Sequence, residues 1–218
     1  MHNRTARLTA VALLLMMFAA GCGSKAATTP KLAPEQVQEV KGQAVELIKQ
    51  GQLDQATEKL KEVSTAAPKD AQTQFLFGLA FYNKQQYDDA IAAYKRALEL
   101  DPKYAEAANN LGNTYRDMKK PEEAIKWYQK AIEIAPTFPY AYTNMAEIYR
   151  TSGKLNEAIS ILTKGVTAMP GNPDVNFSLA AIYSEAGQKD KAVSTLEVLL
   201  KAKPDFAAAK DLLAELKK

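Results

Sequence analysis

Residues 88–102 read DDAIAAYKRALELDP and residues 122–136 read EEAIKWYQKAIEIAP. The two stretches lie 34 residues apart and place Ala, Tyr, Ala and Pro at the same offsets. Working outward, Pro68, Pro102, Pro136, Pro170 and Pro204 keep that spacing. Twelve residues before each stands an alanine: Ala56, Ala90, Ala124, Ala158 and Ala192. Twelve before those comes a small residue, Ala44, Gly78, Gly112, Ala146 or Ala180. Three further on comes a large one, Leu47, Phe81, Tyr115, Tyr149 or Tyr183. A register kept through five units is a repeat, and a repeat offers function through a surface rather than through one catalytic pocket.

Within the second unit Ala90, Ile91, Tyr94, Ala97 and Leu98 fall on one helical stripe. Small residues such as Gly78 and Ala90 let two helices approach, with Phe81 and Tyr94 filling the space beside them. Gly51, Gly153 and Gly187 suit the ends of first helices, and Pro121 the first turn of a second one. Gly165, inside a second helix, reads either as a bend, together with MPGNPD at 169–174, or as simple tolerance of a weak helix former.

The spacing and residue types resemble the tetratricopeptide repeat over residues 37–206. The resemblance implies an all-α, right-handed α-solenoid of five helix–turn–helix units, at about 37–70, 71–104, 105–138, 139–172 and 173–206. A capping helix follows at 207–218, with Ala208, Leu212, Leu213 and Leu216 on its covered side. The repeat domain as a whole is expected at 35–218.

Composition excludes much chemistry. The only His is His2 and the only Cys is Cys22, so a chain cut after residue 21 has no imidazole and one thiol. Histidine-dependent nucleophilic catalysis and His/Cys zinc sites are then unavailable, and no cofactor or metal site is expected. Without Arg4 and Arg7 the 28 basic side chains nearly balance the 25 acidic ones, so nucleic acid is not an expected partner. Asp88–Asp89 and Glu122–Glu123 invite an acid–base reading. However, neighbours on a helix diverge, and both pairs stand where a second helix begins, favoured there by its dipole. An enzyme is not expected.

The leader MHNRTARLTAVALLLMMFAAGCGS runs basic, then apolar from Leu8 to Ala20, then Gly21-Cys22. Thirteen apolar residues would rise about 20 Å as a helix, short of a hydrocarbon layer of about 30 Å. Residues 1–21 therefore read as a signal peptide. The Gly-Cys ending resembles the lipobox of bacterial lipoproteins, which implies lipid attachment at Cys22. Ala19 stands where that family usually has Leu, and an ordinary signal peptide with a stray Cys is the other reading. Residues 22–34 suit a flexible tether. Gly23, where Asp would favour the inner membrane, implies an outer-membrane protein facing the periplasm of the bacterial envelope.

The resemblance also implies a concave face lined by first helices that binds protein or peptide segments. It assigns to that face Gln72, Phe75, Leu79 and Tyr82 in the second unit, Glu106, Asn109, Asn113 and Arg116 in the third, Tyr140, Thr143, Glu147 and Arg150 in the fourth, and Asp174, Phe177, Ala181 and Ser184 in the fifth. Phe75 and Phe177 can equally fill gaps between helices. Arg116 and Arg150 can clamp a carboxylate or be neutralised by Asp117 and Glu147. Chaperone-tail binders of this family need cations where Asn109, Asp174 and Ser178 stand, so that activity is not carried over. Trp127 beside Tyr128 reads as structural. The expected role is a membrane-anchored scaffold assisting assembly of an envelope complex. A pilus or secretion-machine assembly lipoprotein, pilotin-like, is the alternative. The oligomeric state is left open.

Overall fold

The computed structural model describes residues 32–218, so the expected signal peptide, most of the tether and Cys22 lie outside the described residues. Among the described residues there are eleven helices and no strand. First and second helices alternate: α1 (Pro34–Lys49) with α2 (Leu53–Ala66), α3 (Ala71–Asn83) with α4 (Tyr87–Leu100), and α5 (Ala105–Asp117) with α6 (Pro121–Ile134). They continue as α7 (Pro139–Thr151) with α8 (Leu155–Ala168) and α9 (Pro173–Glu185) with α10 (Lys189–Ala202), closed by α11 (Ala207–Leu216). The fold is an α-solenoid. Its first helix starts at Pro34, the last residue expected in the tether, because proline suits the first turn and the Gln36 side chain accepts from the Ala33 amide at 2.8 Å.

The repeat is punctuated by backbone geometry. Each first helix ends at a left-handed residue: Gly51, Gln85, Lys119, Gly153 or Gly187. One residue later the amides of Gln52, Gln86, Lys120, Lys154 and Gln188 donate back to the carbonyls of Leu47, Phe81, Tyr115, Tyr149 and Tyr183. This is the Schellman closure, and its carbonyl belongs to the repeating large residue. Second helices end two residues before each of the five periodic prolines, which cannot continue them. Asp88, Asp89, Glu122 and Glu123 lie exposed in first turns, as the dipole favours.

The five periodic alanines of the second helices are all fully buried. Beside them the paired helices meet at two positions whose sizes are matched. Where the first helix has Gly78 or Gly112, the second has Tyr94 or Tyr128, fully buried. Where it has Ala44, Ala146 or Ala180, the second has Leu60, Leu162 or Leu196, also fully buried. A Cβ on Gly78 would enter the Tyr94 ring, and one on Gly112 the Tyr128 ring. Gly165 makes neither a bend nor a tolerated defect. A Cβ there would stand 2.9 Å from Val175 and 3.0 Å from Tyr142, so it seats both side chains.

First helices also touch their successors, α1 with α3, α5 with α7 and α7 with α9, whereas successive second helices make no comparable contact among the described residues. Elements crowd on the inside of a curve and spread on its outside, so the first helices line the inner face. At the far end α11 covers the last unit with buried Ala209, while Ala208 is exposed; Leu212, Leu213 and Leu216 pack as expected.

The size matching makes a testable pair. Gly78→Ala should lower stability by about 1–3 kcal/mol, read from urea unfolding of the helical signal. Adding Tyr94→Leu should recover most of that loss. It rebuilds the Ala–Leu pair of other units and removes a Tyr94 hydroxyl buried without a hydrogen-bond partner.

Candidate functional site

The fifth position of each unit marks the middle of the inner face, and its occupants are largely engaged. Lys41 is 4% exposed; its ammonium meets Asp70 at 3.2 Å and donates to the Gln72 side chain at 2.8 Å. Asp70 also caps α3, accepting from the Thr73 amide at 2.9 Å. Burial would raise its carboxyl, but the Thr73 bonds and Lys41 outweigh it and hold the group below the usual carboxylate range. Phe75 sits between Tyr94 and Tyr104, with ring centroids 5.8 and 4.8 Å away, and half-buried Leu79 joins the same cluster. Phe177 packs on Phe206 at 5.3 Å. Both phenylalanines therefore fill gaps between helices.

In the third unit amides take over. Asn109 is 5% exposed and accepts from Asn144 at 3.1 Å. Asn113 accepts from the buried Tyr128 hydroxyl at 2.8 Å and from Asn144 at 3.2 Å, and donates to Asn110 at 3.2 Å. Asn113 is thus tied to the core slot of its own repeat. Its truncation would disturb the fold as well as the face.

Along the C-terminal rim of the first helices the charges neutralise one another. The Tyr82 hydroxyl donates to Asp117, which also accepts from Arg116 at 3.0 Å. Burial first, then the Asp117 bond, pushes the Tyr82 phenol up to about 12. Arg150 grips Glu147 through two bonds, of 2.7 and 2.6 Å, and reaches Glu185 of the next unit at 3.5 Å. The bonds from Arg150 hold the Glu147 carboxyl low, helped by the charges of Arg150 and Arg116. Of the two readings for the arginines, neutralisation is the one the geometry supports.

What stays open is farther along. Tyr140 is 61% exposed and stands edge-on to Phe138 at 5.6 Å. Between α7 and α9 a hollow of about 160 Å³ is lined by Thr143, Glu147, Arg150, Phe177, Ser178 and Ala181, among others. Five residues that the sequence assigns to the face, Thr143, Glu147, Arg150, Phe177 and Ala181, therefore converge there with Ser178. On the outer side, hollows of about 420 and 340 Å³ flank α4. Among the described residues no cluster of three or more His, Cys, Asp or Glu gathers to hold a metal, and no helix is long and apolar enough to cross a membrane.

Family models described as tetratricopeptide repeat match residues 42–100 and 75–139, 127–160, and 149–216. The chain belongs to the tetratricopeptide repeat family. Among solved structures, MamA is 25% identical over 76% of this chain and 96% of its own, with a TM-score of 0.61. PilF of Pseudomonas aeruginosa is 17% identical over 84% of this chain and 89% of its own, with a TM-score of 0.65. YrrB, described as a repeat protein with an unusual peptide-binding site, is 19% identical over 82% and 95%, with a TM-score of 0.55. These likenesses show the fold. No curated protein matches. Members of the family are in general scaffolds without catalysis of their own, and this chain presents such a scaffold for protein–protein interaction.

Against that repeat frame, sequence reasoning missed the partners rather than the positions. Asn144 and Glu185 engage the assigned residues from the next unit, and Ser178 completes the hollow. The recurring sixth position, Asn110, Asn144 and Ser178, was the available signal.

Asp70→Asn should cost about 1.5–3 kcal/mol at neutral pH by leaving Lys41 buried without its charge partner. A depressed folded pKa means that the contribution is present above the unfolded value of about 3.9 and is lost as pH falls below it. The difference between wild type and variant in urea midpoint should therefore shrink as the pH is lowered from about 5 to 3.

Proposed function

We propose that the protein is a lipid-anchored envelope scaffold whose first-helix face holds an extended segment of a partner protein. The observation that carries the reading is the hollow between α7 and α9, where Thr143, Glu147 and Arg150 converge with Phe177, Ser178 and Ala181. At about 160 Å³ it accepts one small apolar side chain rather than a whole ligand. Its mouth carries Glu147 and Glu185 against Arg150, so a basic residue beside the inserted side chain is favoured. Exposed Tyr140 offers ring area on the same face at the opposite rim. Leu79, Gln72 and Tyr82 extend the track toward the first unit.

Anchoring rests on the leader. The order Arg4, Arg7, an apolar stretch to Ala20, then Gly21-Cys22 suits removal of residues 1–21 and acylation of Cys22. Several acyl chains give stable attachment where one does not. Gly23 favours the outer membrane, with the repeats in the periplasm.

Two measurements test the two halves. With p-benzoylphenylalanine in place of Tyr140, irradiation of intact cells should give a discrete cross-linked partner, and Ala181→Phe, which fills the hollow, should deplete it without loss of helicity. Undiminished cross-linking in the filled variant sinks the groove. Cys22→Ser should leave uncleaved precursor or release the chain from membranes; normal processing and unchanged membrane partition rule out the anchor.

A further inference from the structure

The outer face is not the evenly solvated surface that its Lys, Glu and Gln residues suggest. Between α4 and α6 it holds a hollow of about 340 Å³, walled by Lys95, Leu98, Glu99, Pro102, Trp127 and Lys130. Trp127 is the only tryptophan of the chain. The repeat does not require an aromatic there. Its equivalents are Lys59, Ala93, Ile161 and Thr195, in units that fold the same way. Trp127 packs one side against the clusters around Tyr94 and Tyr128 and turns the rest to the hollow, with half-buried Leu98 and exposed Pro102.

The charges around this apolar floor are uneven. Glu99 is taken by Arg96 at 2.7 Å. Lys130 meets Glu133 at 3.3 Å, an exposed pair of little worth, and Lys95 stands across from it on α4. Two ammonium groups thus flank an indole, a leucine and a proline. The volume lies at the lower end of ligand pockets and suits one large apolar side chain. A half-buried Trp at the centre of a hollow with charges on its rim is the arrangement of an interface hot spot.

We infer that this outer hollow is a second docking site, distinct from the first-helix face, which takes an acidic protein segment by one large apolar side chain. Leu or Phe of the segment lies on Trp127 and Leu98, and Asp or Glu beside it meets Lys95 and Lys130. Charge complementarity sets the preference. A segment flanked by lysines would bring like charges to both rims.

Because Trp127 is the sole tryptophan, its fluorescence reports the hollow directly. The full chain is titrated with the peptide acetyl-Asp-Glu-Leu-Phe-Glu-Asp-amide and, separately, with acetyl-Lys-Lys-Leu-Phe-Lys-Lys-amide. The acidic peptide should give a saturable change in Trp127 emission and bind at least about tenfold more tightly than the basic one. Lys95→Glu with Lys130→Glu, both on exposed side chains, should reverse that order while circular dichroism stays unchanged. Ala181→Phe, in the other hollow, should leave the response intact, so the two sites fail or hold independently. The inference is overturned if the acidic peptide produces no saturable change, if both peptides act alike, or if the response survives the double charge reversal. It is equally overturned if Trp127 emission of the chain alone shifts with its own concentration, since the occupant is then a second copy.

Discussion

Everything else in the molecule depends on how closely the two helices of a unit can lie. Close approach is set by one position on each: glycine under a tyrosine ring in the second and third units, alanine under leucine in the others. Glycine in a helix interior costs about 1 kcal/mol relative to alanine, so it persists where something larger needs the space. Tyr94 and Tyr128 are that reason. Gly165 repeats the logic one turn away, where unit-specific Tyr142 and Val175 need room. The helices of every unit stay close antiparallel neighbours because volume is traded between partners rather than added.

This explains what could be read from the residues and what could not. The 34-residue register was legible because backbone events recur with it: a left-handed residue, a Schellman closure and a proline, each visible as a residue type. Gln85 and Lys119 hide the first of these, taking the left-handed turn where other units have glycine, yet the register carries through them. The Gly–Tyr and Ala–Leu pairing also stood in the letters, sixteen residues apart in each unit, but emerges only when volumes are compared across units rather than within one. The end cap was misread by one residue, Ala208 for Ala209, because a lone helix has several apolar stripes and only its neighbour selects one.

The candidate site was legible as positions but not as available groups. Periodicity assigns a side chain to a face; it says nothing of the partner that reaches it from the next unit. Arg150, for which a clamp and neutralisation by Glu147 both stood open, is held by Glu147 and also by Glu185 of the next unit; Asn113, assigned to the face, accepts from the Tyr128 hydroxyl. Contacts such as Arg150–Glu185 and Asn144–Asn109 cross between first helices of successive units, so each depends on which long side chains happen to coincide at that junction.

The same contacts shape what the inner face can recognise. A carboxylate arriving at Arg150 must displace two short bonds from Glu147, whereas an apolar side chain entering beside Phe177 and Ala181 displaces nothing built into the fold. Recognition by shape is therefore favoured over recognition by charge on that side. The outer hollow differs in kind. Its lysines are not tied into a network across units, and its aromatic floor belongs to no repeat-defining slot. In a linear array each unit contacts only its neighbours, so residues that the stack does not use are the ones free to vary without unfolding it. Trp127 stands at such a position in the middle unit, where its inner side is held by two core clusters. A rigidly seated indole facing an open hollow loses little side-chain freedom when that hollow is filled, and this is what lets a single side chain anchor a segment.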